Sequence, residues 1–236
     1  GGEDATSVAT IPAGQRAILD LVSRAHGTLA GVWVGAVVFD HLGCAVQIVR
    51  ADGARIAPGD TVLTATGATR SLLLGERTAL NLICHLSGVA TSTARWVEAI
   101  AGSGARVRDT RKTTPGMRSL EKYAVRCGGG LNHRMSLSDA ALVKDNHVLA
   151  AGGVAEAFRR VREQYPGLPC EVEVDSLDEL REALDAGADL ILLDNFTTDQ
   201  MREAVAVTAG RSRLEASGGL TLAAAADVAA TGVDYL

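Results

Sequence analysis

Lysine is scarce in this chain. Of its 23 basic residues only Lys112, Lys122 and Lys144 are lysine, and all three fall between Val107 and His147. The first 75 residues have hairpin-like segments of the kind found in biotin- and lipoate-carrier domains, but no lysine to stand at a carrier turn, so that reading fails. Aromatic residues make up only 3% of the chain, and the net charge is −5. An acidic chain without aromatic-studded basic segments is poorly built to hold nucleic acid. No apolar run approaches the roughly 20 residues of a membrane helix, and no basic-then-apolar leader opens the chain, so a soluble, cytoplasmic protein is expected. Cys44, Cys84, Cys127 and Cys170 lie about 40 residues apart, with no CxxC pair and no histidine at zinc-ligand spacing. Buried free thiols are the expected state. Also missing is a GxGxxG turn after a strand, the mark of a dinucleotide-binding sheet, because Gly102 and Gly104 precede their strand.

What is present suits a large α/β core. The chain has 236 residues, 47% of them hydrophobic and dominated by Ala, Val and Leu. That length allows one barrel-sized domain or two smaller ones, with roughly 70% of the unfolded surface buried. Charge is unevenly placed. Between Val107 and His147 eight basic side chains face four acidic ones, a local surplus of four, so the rest of the chain carries −9. A positive patch in an acidic protein is a place where small anions collect. Lysines kept within it can act as compact, rotatable ammoniums that arginine's planar fork does not replace, against the alternative of solvated surface charge.

Taken in order, the first 75 residues read mostly as β, with a mixed apolar segment from Leu29 and a PGD turn between Ile56 and Val62. From Glu76 to about Ala101 the pattern becomes helical, with an apolar face through Leu80, Ile83, Leu86 and Ala90, and the element is expected to bridge two domains. Six short β-like runs follow: ARVRDTRK, ALVKDN, CEVEVD, LILLDN, SRLEASGG and VDYL, with helical segments between the later ones. Repeated strand, loop and helix predict parallel strands with helices outside. In a parallel barrel the strand C-termini form the functional face, so runs ending in Arg, Lys, Glu, Asp and Ser there resemble an active-site ring. An open doubly wound sheet is the rival.

Arg111 and Lys112 serve one anion only if their strand ends at once, which Thr113, Thr114, Pro115 and Gly116 favour; ion pairing with Asp109 is the alternative. The glycine triplet at 128–130 permits close ligand approach or simply a mobile turn. His133 and Arg134 suit a carboxylate. Alternation places Glu171, Glu173 and Asp175 on one strand face, and Asp194 ends the LILL run. Glu173 and Asp194 have the oxygen donors that Mg²⁺ takes alongside substrate phosphates; salt bridges to Lys112 and Lys144 are the structural alternative. Ser217, Gly218 and Gly219 follow a strand and precede a helix expected from Thr221, an arrangement that offers backbone N–H groups to phosphate. Arg118, Lys122 and Arg126 read as solvated helix charges.

Together RDTRKTTPGMRSLEKYAVRCGGGLNHR, DAALVKDNH, CEVEVDS, LILLDN and LEASGG resemble, in order, the motif series of the quinolinate phosphoribosyltransferases. The resemblance runs from about Asp4 to Leu236. It implies an α/β protein with an N-terminal α+β sandwich domain, residues 1–82, followed by an incomplete parallel α/β barrel, residues 83–236. It also implies a homodimer with shared active sites and a reaction of quinolinate with 5-phosphoribosyl 1-pyrophosphate and Mg²⁺, giving nicotinate mononucleotide, pyrophosphate and CO₂. By motif match Arg77 would reach the partner's quinolinate, and Arg111, His133, Arg134 and Lys144 would bind its carboxylates. Thr110 falls in the same substrate-binding motif. Lys112 would touch both substrates, and Lys112, Lys144, Glu173 and Asp194 would carry the catalysis. Glu173 and Asp194 would also face ribose and Mg²⁺, and Ser217, Gly218 and Gly219 would hold the 5-phosphate.

The pattern departs from the family at both ends. Family members usually have a helix before the GxDxTS-like stretch at Gly2–Ser7 and a further glycine-containing phosphate loop after VDYL, so a trimmed or shortened member is expected. Two other readings stand beside the transferase. One is a non-catalytic or regulatory paralogue binding phosphorylated metabolites. The other is a barrel aldolase using Lys112 or Lys144 as a Schiff base.

Overall fold

The computed structural model describes residues 4–236. The chain divides into two compact units, one comprising the residues up to Ala94 together with Thr114–Gly130, the other Arg95–Thr113 together with Leu131–Leu236.

In the first unit, α1 (Ala5–Thr10) is capped by Asp4, whose carboxylate accepts the Ser7 N–H at 3.2 Å. Of the GxDxTS-like stretch, Gly2 lies outside the described residues. There follow β1 (Arg16–Val22), β2 (Gly27–Thr28), α2 (Val32–His41), β3 (Ala45–Ile48), β4 (Arg55–Ile56), β5 (Thr61–Ala68) and α3 (Thr69–Ala99). β1, β5 and β3 form an antiparallel sheet in that order, and β2 pairs with β4. Leu21 and Leu63 of this sheet bury against Phe39 of α2 and Leu72 and Ile83 of α3. Burying each such side chain is worth about 1.5–3 kcal/mol. The PGD turn is present: Asp60 accepts the Ala57 N–H at 2.9 Å, and Gly59 takes φ +94°. The long helix starts earlier than its apolar pattern suggested, at Thr69 rather than Glu76, because it continues straight from β5 and buries Leu72 and Gly75 in its first turns.

α4 (Arg118–Cys127) follows the first barrel segment in sequence yet belongs to this first unit. Its Ala124 packs with Leu86 and Ala90 of α3. Here one expectation fails. Lys122 is not a solvated charge but is only 1% exposed, on the same buried side of α4 as Ala124 and Val125, while Arg126 is exposed as expected. In the glycine triplet, Gly128 and Gly129 form the turn that ends α4, and a Cβ at Gly128 would lie 2.4 Å from the Ala90 carbonyl oxygen, so that residue is small to let two backbones meet.

The second unit alternates β6 (Ala141–Val143), α5 (Asp145–Ala151), α6 (Val154–Gln164), β7 (Cys170–Val174), α7 (Leu177–Asp185), β8 (Leu190–Asp194), α8 (Thr198–Thr208), β9 (Arg213–Ser217) and α9 (Ala225–Ala229). The four strands are parallel in chain order. The order continues past β9 through parallel bridges: Glu215 to Tyr235, Tyr235 to Arg106, and Arg108 to Leu131. All six β-like runs therefore lie in one curved sheet, although the first and last contribute single bridges rather than full strands. Among the described residues no pairing runs from Leu131 back to β6, so the barrel is incomplete. Val172, Val174, Ile191, Leu193, Leu214 and Ala216 face the helices and pack on residues such as Phe158, Leu180 and Met201. Strand alternation then directs Glu171, Glu173, Asp194, Glu215 and Ser217 to the other face, into the barrel.

Candidate active site

Because every segment of the second unit's sheet is parallel, its C-terminal ends open on one side of the barrel. Lys144 follows β6, Glu173 precedes the last residue of β7, Asp194 ends β8 and Ser217 ends β9. Thr110, Arg111 and Lys112 follow the Arg108 bridge, and His133 and Arg134 follow Leu131. All but one of the anticipated site residues thus gather on one rim. Arg77 is the exception, exposed on α3 in the first unit.

The backbone leaves the sheet at Arg111, as the TTPG sequence suggested: the Thr113 N–H bonds to the Arg111 carbonyl at 3.0 Å, and the Thr110 hydroxyl accepts the Lys112 N–H at 3.0 Å. Asp109 anchors the neighbouring segment, accepting from Asn132 Nδ2 at 2.6 Å and from the His133 N–H at 2.8 Å. Arg134 is aimed by the loop beyond it. Asp139 accepts the N–H groups of Met135 and Ser136, both at 2.7 Å, and the turn brings the Ala140 carbonyl within 3.1 Å of Arg134 Nη1. Arg134 Nε is buried and makes no hydrogen bond. Burial, then the charge of nearby Arg111, lowers the pKa of this guanidinium below its usual value. Two like charges crowded into a partly desolvated corner are costly, and the charges of Glu171 and Asp139 offset that cost for Arg134 only in part.

The acidic part of the rim is smaller than the alternation suggested. β7 stops at Val174, so Asp175 lies outside the strand and is exposed. Lys144 Nζ meets Glu173 Oε2 at 3.0 Å, so the salt-bridge alternative holds for this pair. Asp194 Oδ2 accepts from Asn195 Nδ2 at 2.8 Å. Asn195 adopts φ +57°, a conformation asparagine tolerates better than most residues. Its N–H bonds to the Ser217 carbonyl at 2.9 Å. Gly218, at φ +89°, lies so close that an added Cβ would stand 2.2 Å from Asn195 Oδ1, whereas one at Gly219 would meet nothing within 4 Å. The Asp194 and Ser217 strand ends are therefore locked to each other, and Gly219 faces open space. The helix expected from Thr221 is only a 3₁₀ turn at Leu222–Ala224 leading into the short α9, so phosphate contacts here would fall to loop amides rather than to a helix terminus.

Deeper in the barrel lies a charged layer that sequence reading only half registered. Arg108 bonds Glu215, sits 3.6 Å from Glu171 and stacks 4.9 Å from the Tyr235 ring centroid. His133 Nε2 approaches Glu171 Oε2 to 2.6 Å. Burial, reinforced by the Glu171 charge, pushes the Glu215 carboxyl up to about 8. His133, Glu171 and Glu215 have the spacing of a metal site, but Arg108 already supplies a cation to both carboxylates. Glu215 was missed although LEASGG was singled out. The alternation Arg213, Glu215, Ser217 would have placed it on the same face as Ser217.

Models of the quinolinate phosphoribosyl transferase N-terminal and C-terminal domains match residues 4–87 and 89–236. The chain belongs to this family. A quinolinate phosphoribosyl transferase relative, the nicotinate-nucleotide pyrophosphorylase [carboxylating] of Mycobacterium leprae, is 52% identical over all of this chain and 85% of its own length. The human protein of the same name is 42% identical over 86% of this chain and 70% of its own. The crystal structure of NadC from Streptococcus pyogenes superimposes with a TM-score of 0.95 at 43% identity, covering 99% of this chain and 84% of that one. The mixed α/β architecture, with a sheet-and-helix first domain and a parallel sheet carrying helices, is thus that of the quinolinate phosphoribosyl transferases. Among the described residues no helix is long and apolar enough to cross a membrane.

Proposed function

We propose that this chain transfers the phosphoribosyl group of 5-phosphoribosyl 1-pyrophosphate to the ring nitrogen of quinolinate, forming nicotinate mononucleotide, pyrophosphate and CO₂. The observation that carries the reading is the crowding of Arg111 and Arg134 beside a buried, hydrogen-bond-free Arg134 Nε, on a rim that also bears Glu173 and Asp194. A ring with two adjacent carboxylates would relieve the like-charge repulsion, with His133 and Lys144 at the same end and Lys112 at the junction of the two substrates.

Departure of pyrophosphate leaves positive charge on the ribose, which the carboxylates at Glu173 and Asp194 would stabilise. Attack by the ring nitrogen makes a pyridinium, whose positive charge stabilises the carbanion left on the adjacent ring carbon when its carboxylate leaves as CO₂, and that carbon then takes a proton from water. Positioning and electrostatics therefore suffice without a covalent nucleophile. Glu173 and Asp194 also fit Mg²⁺, being partly exposed oxygen donors on one face of adjacent strands, a set that Mg²⁺ completes with phosphate oxygens and water. The ion when bound would neutralise charge on the departing pyrophosphate. Ser217, Gly218 and Gly219 would hold the 5-phosphate through loop amides. Arg77 would serve the active site of a second copy in a homodimer.

The test is pyrophosphate and CO₂ release by the purified chain with Mg²⁺ and 5-phosphoribosyl 1-pyrophosphate, comparing quinolinate with nicotinate. Turnover of quinolinate alone is expected. Equal or better use of nicotinate, or no turnover with either acid, would remove the reading.

A further inference from the structure

Lys144 occupies a place that lysine suits poorly. It is the N-cap of α5, with extended backbone at φ −132° and ψ 169°, where the first N–H groups of a helix favour an oxygen acceptor from Ser, Thr, Asp or Asn. A lysine side chain has only donors. Its Nζ turns instead to Glu173 Oε2, 3.0 Å away on β7. The backbone of Lys144 is also at a margin, because the pairing of β6 with β7 ends at Val143 opposite Val172, one residue short of it.

His147 meets both problems. From three residues further on, its Nδ1 accepts the Lys144 N–H at 3.0 Å, the reach-back half of a capping box made by a ring where Glu or Gln is usual. The Lys144 carbonyl in turn accepts the N–H groups of His147 at 2.8 Å and Val148 at 2.9 Å. Both backbone polar groups of Lys144 are thus tied to the first turn of α5, and its side chain departs from a fixed point toward Glu173.

We propose that His147 is a positioning residue for Lys144: its ring fixes the backbone from which the Lys144 ammonium reaches the substrate rim. This rests on the functional reading of Lys144 and deepens it. A plain helix cap is the alternative, and it differs in one consequence. A cap that only stabilises α5 acts whether or not residue 144 carries an ammonium, whereas a positioning ring has nothing to place once the ammonium is gone. The ring is exposed and lines a cavity of about 420 Å³ bounded by α5, β6 and α6, so its truncation removes the bond without emptying a packed core.

Two measurements test the role. The first is a cycle of the unaltered chain, His147→Ala, Lys144→Ala and the double variant, read as single-turnover rates with enzyme in excess so that slow variants stay measurable. His147→Ala is expected to slow quinolinate turnover about three- to tenfold, the range of one lost hydrogen bond, yet less than about twofold when Lys144 is already alanine. His147→Asn, which keeps an acceptor near the Nδ1 position, should retain most of the rate. An equal cost of His147→Ala in both backgrounds, or equal losses in the Asn and Ala variants, would overturn the proposal. The second measurement needs no turnover. Because the chain has only three lysines, acetylation of the full chain followed by mass spectrometry reads Lys144 directly against Lys112. His147→Ala should loosen the ammonium from Glu173 and raise the Lys144-to-Lys112 labelling ratio at least about twofold. An unchanged ratio would also overturn the proposal. Absence of quinolinate turnover by the unaltered chain would instead remove the functional reading, and the labelling ratio would then decide by itself whether His147 holds Lys144.

Discussion

Arg134 sits where arginine and lysine differ most. Its Nη1 is used by the Ala140 carbonyl while Nε stays buried and open, so the guanidinium can hold the loop and offer a second edge to a carboxylate at once. An ammonium can do one of these only with a different reach. Arg134→Lys should therefore raise the KM for quinolinate by about 10- to 100-fold, the cost of a lost charge-assisted bond, with a smaller fall in kcat. Steady-state kinetics with both substrates checks this, and a loss confined to kcat would contradict it. Residues of this kind were readable from sequence because Arg, His and Lys after short β-like runs announce themselves by type. Arg108 and Glu215 were not, since a buried pair and a surface pair are spelled with the same letters. Lys122 misled for the same reason.

At the scale of elements, the joint between β8 and β9 is the most tightly specified part of the rim. Asn195 and Gly218 both adopt left-handed backbone, and the Gly218 Cα lies against the Asn195 side chain with no room for a methyl. Gly218→Ala faces both backbone strain of about 1–2 kcal/mol and a displacement of Asn195 from Asp194. Raised KM for 5-phosphoribosyl 1-pyrophosphate with little change for quinolinate is the expected outcome. The neighbouring Gly219→Ala shares the left-handed strain, at φ +63°, but has open space around it and should be milder, and equal effects would refute the distinction. Strand order and alternation were legible here because the runs are short, apolar on one face and separated by helices. The register that sets Asp194 beside Ser217 was not, because nothing in LILLDN or SRLEASGG specifies which residues pair.

For the whole molecule, burial of Glu215 ties stability to pH. Its carboxyl rises from an ordinary 4.5 to about 8, so the folded state holds this proton more tightly than the unfolded chain. Stability from this group is full below about pH 4.5 and is lost as pH climbs through 8. Glu215→Gln removes that titration, and its melting temperature should fall less between pH 5 and pH 8 than that of the unaltered protein. Parallel melting curves test this, and an equal or greater fall in the variant would be evidence against it. The proposed shared sites make a second prediction at this scale. Arg77→Ala and Lys112→Ala should each be nearly inactive, and co-expression of the two should restore about a quarter of full activity, because half the dimers are mixed and each has one intact site. No recovery in verified mixed dimers would place Arg77 outside the partner's site.

By itself the sequence determined which residue types would meet: periodicity distinguishes helix from strand, alternation assigns faces, and parallel strands send their C-terminal side chains to one rim. That reasoning reached Lys112, Arg134, Lys144, Glu173, Asp194 and Ser217. Tertiary structure alone decided that α4 belongs to the first unit, with Lys122 buried and Gly128 against the Ala90 carbonyl. It alone also decided that Arg108, His133, Glu171 and Glu215, spread over more than a hundred residues, share one buried layer. The physical reason is that local patterns record which way a side chain points, whereas the protonation and partners of a charge depend on what the fold packs around it.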